Sequence, residues 1–458
     1  MNSERVTIMR HAGTVMVGQL AVMAFSITDT LVAGHFADTA LAALAVAAAT
    51  YVTVHISLMG MLQALLPVWA ELHGAQQHAA VGRSVRQALY LCAVTTGLGM
   101  WALICPDWLL NWTQVPAALQ TEVRGYLLIV AFGLPASLLF RMYSTLNQSL
   151  GKPKLVTWVQ VGALMVKIPL SIVLVLGIPE VLPPMGLAGC AWATLMVMLM
   201  MLTLAVALLR TQDFYKPYRI WAPMEKPHLP TLLRFVRLGL PSGLAIGVEV
   251  TSFTLMSLFI SRMGVVATAS HQIVSNMTAV LYMIPLSLSI ASSARVSYWI
   301  GAGQIQRARQ ALRTGLSLVL LLSIACATLI GWQHTSIANA YTQSTDVATL
   351  AAHLLLWLML YHVADAVQVF CVFTLRCYGI TVLPLITYTV LLWGLGLAGG
   401  YWVAYGEDVV AQSGLTWLAP ASPVAFWQTG SLALYVTTAV LLPVLWRAAY
   451  AKPSKPSH

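Results

Sequence analysis

Apolar residues run along this chain in long stretches separated by short polar segments. That is the pattern of helices that cross a bilayer, not of elements with one wet face. A helix needs about 20 apolar residues to cross the hydrocarbon core. Twelve stretches qualify: roughly 12–34, 41–70, 87–105, 123–148, 155–177, 185–209, 235–260, 267–300, 311–331, 350–375, 382–405 and 424–446. The second and eighth are long enough to tilt or to extend past the membrane. Backbone in hydrocarbon must satisfy its own hydrogen bonds. The pattern therefore predicts an all-α polytopic membrane protein with twelve transmembrane helices.

Composition removes the soluble alternative. The chain has 458 residues, of which 59% are hydrophobic and 8% charged, and its mean hydropathy is +0.80. A soluble domain carries about 25% charged residues. Arg5 and Arg10 precede an apolar stretch too long for a cleavable signal, so the first helix is expected to be retained. The six cysteines fall mostly in apolar stretches without a Cys-x-x-Cys pair, and read as membrane-buried residues.

The distribution of charge explains the net +10. Lys and Arg in short loops mark the cytoplasmic side. One set of loops carries Arg83, Arg86, Lys152, Lys154, Arg210, Lys216, Arg219, Lys226, Arg234 and Arg237. It continues with Arg295, Arg307, Arg309, Arg313 and Arg376, and both termini belong to it. The alternate loops carry Asp38, Asp107, Glu122, Glu180, Asp346, Glu407 and Asp408, with only Arg124 and Arg262 nearby. The alternation survives all twelve crossings, and both termini are expected in the cytoplasm. The basic excess is a topogenic signal with scope for anionic-lipid contact. No basic run with interleaved aromatics points to nucleic acid.

The polar segment 210–234 contains Lys216-Pro217, Ala222-Pro223, Lys226-Pro227 and Leu229-Pro230, which is linker composition. It divides the chain into an N-terminal six-helix bundle (1–209) and a C-terminal one (235–458). Gly74-Ala75 matches Gly301-Ala302, Arg86-Gln87-Ala88-Leu89 lies over Arg313-Thr314-Gly315-Leu316, and Gly151 matches Gly379. The offset is 227 or 228 each time. The halves are thus expected to be parallel repeats related by a pseudo-two-fold along the membrane normal, with substrate sites between them near the midplane.

Charges inside hydrocarbon are costly, about 2.5–3.5 kcal/mol each on insertion scales, and usually mark an ion or substrate path. Asp29 lies near the outer end of the first helix, Glu249 in the middle of the seventh and Asp365 in the middle of the tenth. Lys167 lies mid-helix in the fifth, two residues before Pro169. A buried cation needs a partner, and Asp29 is the one intramembrane acid of the first half. Tyr282, near Pro285 on the eighth helix, offers an oxygen or a ring to a cation, or simply packs. Arg141 is read as snorkelling to the surface. The membrane histidines, His55, His271, His353 and His362, form no metal-spaced pair.

These residues resemble the NorM branch of the multidrug and toxic compound extrusion family. The resemblance begins with Gln19, then Asp29-Thr30-Leu31-Val32-Ala33-Gly34 and Leu41-Ala42-Ala43-Leu44. It continues through Pro67-Val68-Trp69-Ala70-Glu71-Leu72-His73-Gly74-Ala75 and Gly186-Leu187-Ala188-Gly189-Cys190-Ala191-Trp192-Ala193-Thr194. In the second half it rests on Leu238-Gly239-Leu240-Pro241, Glu249, Tyr282-Met283-Ile284-Pro285-Leu286-Ser287, Arg295-Val296 and Asp365. It implies a cation-coupling cluster of Glu249, Tyr282 and Asp365, where Na+ or a proton would bind. It also implies a polar N-terminal site at Asp29, Gln19 and Lys167. Three positions depart from the family pattern: Thr14 stands where the family has Pro, Lys167 where it has Asn, and Ser171 where it often has Asn.

The function this implies is export of organic cations across a bacterial inner membrane in antiport with Na+ or H+, by a non-enzymatic protein without cofactor. A monomer is mechanically sufficient, since one chain carries both halves. Three acids and one Lys give the site net negative charge, and 20 Met and 15 Trp supply adaptable apolar and cation–π contacts. The main alternative is a flippase for lipid-linked saccharides, which would need a more basic cavity. A membrane enzyme would need a clustered polar motif, and Gly-x-Ser-x-Gly is absent. A channel would need a filter repeat, and none is present.

Overall fold

The computed structural model describes residues 2–106, 117–181, 183–406 and 421–451. Asp107, Glu407 and Asp408, used above to orient the chain, lie outside the described residues, as do Lys452 and Lys455 of the C-terminal segment. Among the described residues, twelve helices are long and apolar enough to cross a membrane. They are α1 (Glu4–Phe36), α2 (Thr39–Gly74), α3 (His78–Ile104), α4 (Leu119–Ser149), α5 (Pro153–Leu176) and α6 (Leu187–Thr211). The second six are α7 (Leu229–Ser261), α8 (Val265–Gly301), α9 (Ile305–Tyr341), α10 (Thr345–Tyr378), α11 (Val382–Tyr405) and α12 (Val424–Tyr450). Each coincides with one of the twelve apolar stretches. The ends differ, because helical hydrogen bonding continues into polar residues beyond the hydrocarbon: α9 runs Ile305–Tyr341, while its apolar stretch covers 311–331.

Local sequence shapes the helices. α2 is interrupted by a turn at Ala64 and Leu65, ahead of Pro67. α8 continues through Pro285, where Ser289 donates to the proline carbonyl at 2.7 Å. α11 widens over Thr389–Ala398 into a π-helix, a stretch containing Gly394 and Gly396. Gly151 and Gly379, matched in the two halves, have φ of +70 and +73 and follow α4 and α10. A left-handed φ is the conformation for which glycine is suited at a helix end.

The chain divides into two compact units. One comprises Thr14–Gly243 with Gly301–Gly303, and the other Met1–Gly13, Leu244–Ile300 and Gln304–His458. The division falls inside α1 and α7, not at 209 and 235. The first unit is cored by residues of α2, α3, α4 and α6, with Trp69, Leu103, Leu134 and Ala191 fully buried. The second has two clusters, one around Phe370 and Leu441 and one around Ile260 and Trp427.

Segment 210–234 has linker composition but is tied down. Tyr215 and Tyr218 are buried, and Tyr215 donates to Asn147 at 2.6 Å. Arg86 on α3 pairs with Glu225, Tyr90 donates to the Glu225 carbonyl at 2.9 Å, and Gln87 bonds both Lys226 and His228. Gly82 permits this closeness, since a Cβ there would overlap the Tyr218 carbonyl.

Candidate functional site

Each unit places acid inside its helices, and the two sites are closed differently. In the unit of Thr14–Gly243, α1 presents Asp29, α5 presents Lys167 and Ser171, and α6 presents Cys190 and Thr194. Lys167 and Ser171 are four apart, so they share a face. Gly189 lets α6 approach α5: a Cβ there would overlap the backbone at Leu174. Lys167 Nζ stands 2.8 Å from Asp29 Oδ1. It also donates to Thr194 Oγ1 at 2.6 Å and to the Cys190 carbonyl at 3.4 Å. An ammonium has three protons, and all three are used. Ser171 and Thr194 donate to the two oxygens of Asp29 at 3.2 and 3.3 Å. Lys167 is fully buried and Asp29 is 5% exposed. The pair is a neutral, saturated unit.

Gln19 is not part of it. Ten residues earlier on α1, it lies about 15 Å along the helix from Asp29. The two therefore do not form one site.

The second unit brings Glu249 of α7 and Asp365 of α10 together through a residue that sequence reasoning missed. Gln368 Nε2 donates to Glu249 Oε1 at 3.2 Å and to Asp365 Oδ1 at 3.0 Å. The two accepting oxygens are therefore no more than about 6 Å apart. Gln368 is fully buried, and its Oε1 has no hydrogen-bond partner. An orphaned buried carbonyl oxygen is uncommon. Here it stands beside two carboxylates, giving an all-oxygen donor set that suits a hard monovalent cation. The signal for Gln368 was its position three residues after Asp365, on the same helix face.

A cavity of about 30 Å³ opens on Glu249, lined also by Phe253, Met256, Tyr361 and Phe426. It has room for a water or a small ion and is far below the size of a drug pocket. Tyr282, Tyr361 and Tyr388 lie within electrostatic reach of both acids. Tyr282 donates no hydrogen bond to either acid among the described residues.

Arg376 corrects an expectation. It was counted among the cytoplasmic loop charges, yet it is 4% exposed at the end of α10, stacked over Phe373 at 4.4 Å. Glu249, Tyr282 and Tyr388 are within its electrostatic reach, and none of its guanidinium nitrogens has a hydrogen-bond partner. Arg141 is likewise buried within α4 and does not snorkel. The histidines are separate: His55 contacts Ser137 at 2.5 Å, and His271 contacts Ser257 at 2.8 Å.

Comparison with known proteins follows the same division. The MatE family model matches residues 15–173 and 241–402. A probable multidrug resistance protein NorM of Aromatoleum aromaticum is 33% identical over 446 residues, covering 97% of this chain and 94% of that protein. A probable multidrug resistance protein NorM of Chromobacterium violaceum is 31% identical over 437 residues, covering 95% and 92%. Among solved structures, the eukaryotic MATE transporter AtDTX14 superposes with a TM-score of 0.84 at 17% identity, covering 98% of this chain and 97% of that one. The Vibrio cholerae MATE transporter VcmN in its bent form gives 0.83 at 15% identity, with 98% and 97% covered. At those identities the structural likeness is one of fold.

Proposed function

The chain belongs to the MatE family, and from that premise we propose that it is a secondary active multidrug efflux transporter, exporting lipophilic organic cations in exchange for Na+ or H+ taken up at Glu249 and Asp365. The observation that carries the assignment of the ion is the contrast between the two acid sites. Asp29 already holds a tethered ammonium, which cannot leave the membrane. Glu249 and Asp365 share one amide donor, beside an orphaned carbonyl oxygen and a cavity of ion size. Two carboxylates this close repel each other in a dry site. A proton or a desolvated Na+ relieves that repulsion, and its loss restores it.

The driving force comes from the inward concentration gradient of the coupling ion, about 1.4 kcal/mol for each tenfold difference across the membrane. The 20 Met and 15 Trp of the chain support an organic cation as the exported species, through cation–π contact and adaptable packing. The loop charges support a bacterial inner-membrane location with both termini cytoplasmic, and one chain suffices for the exchange.

The test is ethidium efflux from proteoliposomes under an imposed Na+ gradient or an imposed pH gradient, for wild type and Glu249→Gln. Efflux driven by one gradient and lost in the variant identifies the ion and its site. Failure of both gradients to drive efflux in wild type sinks the antiport reading and makes lipid-linked saccharides the next substrates to try.

A further inference from the structure

Five arginines gather at one end of the unit that contains Glu249. Arg295 lies near the end of α8, Arg307, Arg309 and Arg313 in the first turns of α9, and Arg447 in the last turn of α12. Arg295 is satisfied: its Nε and Nη2 donate to the two oxygens of Glu4 at 3.1 and 2.5 Å. No carboxylate pairs with the other four among the described residues. Three of them rest on aromatic faces. Arg307 lies 4.8 Å from the Trp299 ring and Arg309 lies 4.6 Å from Tyr450. Arg313 stands over both Tyr450 and Trp446, at 5.5 and 5.8 Å.

This arrangement lacks a negative charge. Arg309 and Arg313 are one helical turn apart, where like charges repel. Arg307 sits in the first turn of α9, where the helix dipole disfavours cations. The N-cap residue, Gln304, makes no side-chain bond to the free N–H groups of the first turn. The internal repeat supplies a comparison. Arg86 occupies in the first half the place of Arg313 in the second, and Arg86 is paired with Glu225. Arg313 has no such acid, and it is exposed.

The same two helices are bare hydrocarbon further along. Arg313, Ser317, Leu321 and Ile324 form one exposed stripe of α9, and Leu321 is 65% exposed. On α12, Val440 and Trp446 are exposed. Cationic groups at the end, Trp and Tyr at their level and apolar side chains beyond match the profile of a phospholipid.

We propose that Arg309, Arg313 and Arg447, with Trp446 and Tyr450, form a binding site for the headgroup of an anionic phospholipid whose acyl chains lie along the exposed stripes of α9 and α12. Guanidinium forks suit a phosphate diester. The lipid anion takes the role that Glu225 plays for Arg86.

The experiment is native mass spectrometry of the full-length protein in detergent, titrated with phosphatidylglycerol or with phosphatidylcholine. Phosphatidylglycerol is expected to be retained in preference, at low stoichiometry. Arg309→Gln with Arg313→Gln should weaken its retention about 25-fold, from about fivefold per charge near the surface. Phosphatidylcholine retention should not change. Arg447→Gln, whose side chain has no ion pair or ring contact to lose among the described residues, should weaken phosphatidylglycerol about fivefold and keeps the test valid if the double variant does not fold. Arg83→Gln, on the other unit, is the control. Equal phosphatidylglycerol retention by wild type and the Arg447 and double variants overturns the proposal. So does displacement of the lipid by inorganic phosphate at matched concentration, which would make the site one for a free anion.

Discussion

Replacing Lys167 by Met tests whether the polar site on α1, α5 and α6 is a closed neutral unit. The substitution keeps side-chain length and removes the charge. Asp29 would retain Ser171 and Thr194 as donors but lose its counter-ion at 2.8 Å. Breaking a buried pair by removing one partner costs about 3–5 kcal/mol, because the remaining charge stays in low dielectric. Asp29→Asn leaves a buried ammonium and should cost a similar amount. The double variant removes both charges and should recover most of the loss, since exchanging a buried pair for neutral groups is often close to thermoneutral. With two such single losses and a double close to wild type, the coupling energy from the cycle should then be about 5 kcal/mol or more. The assay is unfolding of the purified protein in mixed micelles by SDS titration, for wild type, both singles and the double. Single losses below about 1 kcal/mol that simply add in the double would refute the reasoning. A transport arm reads the functional consequence. Lys167→Asn restores a neutral amide beside Asp29, so the pH and Na+ dependence of ethidium efflux should change. An unchanged dependence would mean that Lys167 is not what keeps Asp29 out of ion exchange.

Other outcomes follow from the remaining contacts. Gln368→Leu removes the shared amide but no charge, and should raise the half-saturating concentration of the coupling ion about tenfold, from about 1.5 kcal/mol for a hydrogen bond to a charged group; an unchanged value would exclude Gln368 from the ion site. Asp365→Asn is nearly isosteric, so gradient-driven efflux should fall to background while the thermal unfolding midpoint of the purified protein stays close to wild type. The hydrogen bonds from Arg86 hold the Glu225 carboxyl down to about 2, below its ordinary value of 4.5. The folded value is depressed, so the tether is present above about 4.5 and is lost as pH falls through about 2. Pepsin should therefore cut wild type between 219 and 228 only near pH 2, and Glu225→Gln already near pH 4. Gly82→Val puts a side chain into the Tyr218 carbonyl and should cost about 1–3 kcal/mol in the same SDS titration.

The twelve helices were legible because bilayer thickness sets their length and hydrocarbon forbids any other backbone. Their ends were not, because the first turn of α9, with Arg307 and Arg309, stays helical outside the apolar stretch. The Lys167 and Asp29 contact was legible from scarcity, as a buried cation with one acid in reach. Gln368 was passed over because an uncharged amide does not stand out in a search for intramembrane charge, although its spacing from Asp365 fixed it to the same face. Arg376 misled for a related reason: counting loop charges treats every arginine as wet, and Phe373, one turn earlier, was the cue that the guanidinium folds back onto its own helix. The prolines of 210–234 read as a linker, and the aromatic residues among them, Tyr215 and Tyr218, were the sign that it would be anchored.

The two acid sites draw on similar materials and reach opposite ends. Each combines a carboxylate with uncharged polar groups on neighbouring helices. In the first unit the positive charge comes from the chain itself, and three acceptors saturate it. A saturated ammonium on a fixed helix has nothing to exchange. In the second unit the nearest fixed cation, Arg376, makes no hydrogen bond to either acid, and an amide stands between the two carboxylates with its own oxygen unused. That leaves a deficit of positive charge which only a mobile ion can fill. If both acids ionise, the Arg376 charge offsets one of them, and the second unit is short by one monovalent cation. The expected exchange is then one coupling ion per organic cation, an electroneutral cycle. Measured in proteoliposomes, ethidium efflux at a fixed ion gradient should be indifferent to a valinomycin-clamped potential. A strong dependence on that potential would require a second ion and would place it at Asp29, against the pairing with Lys167.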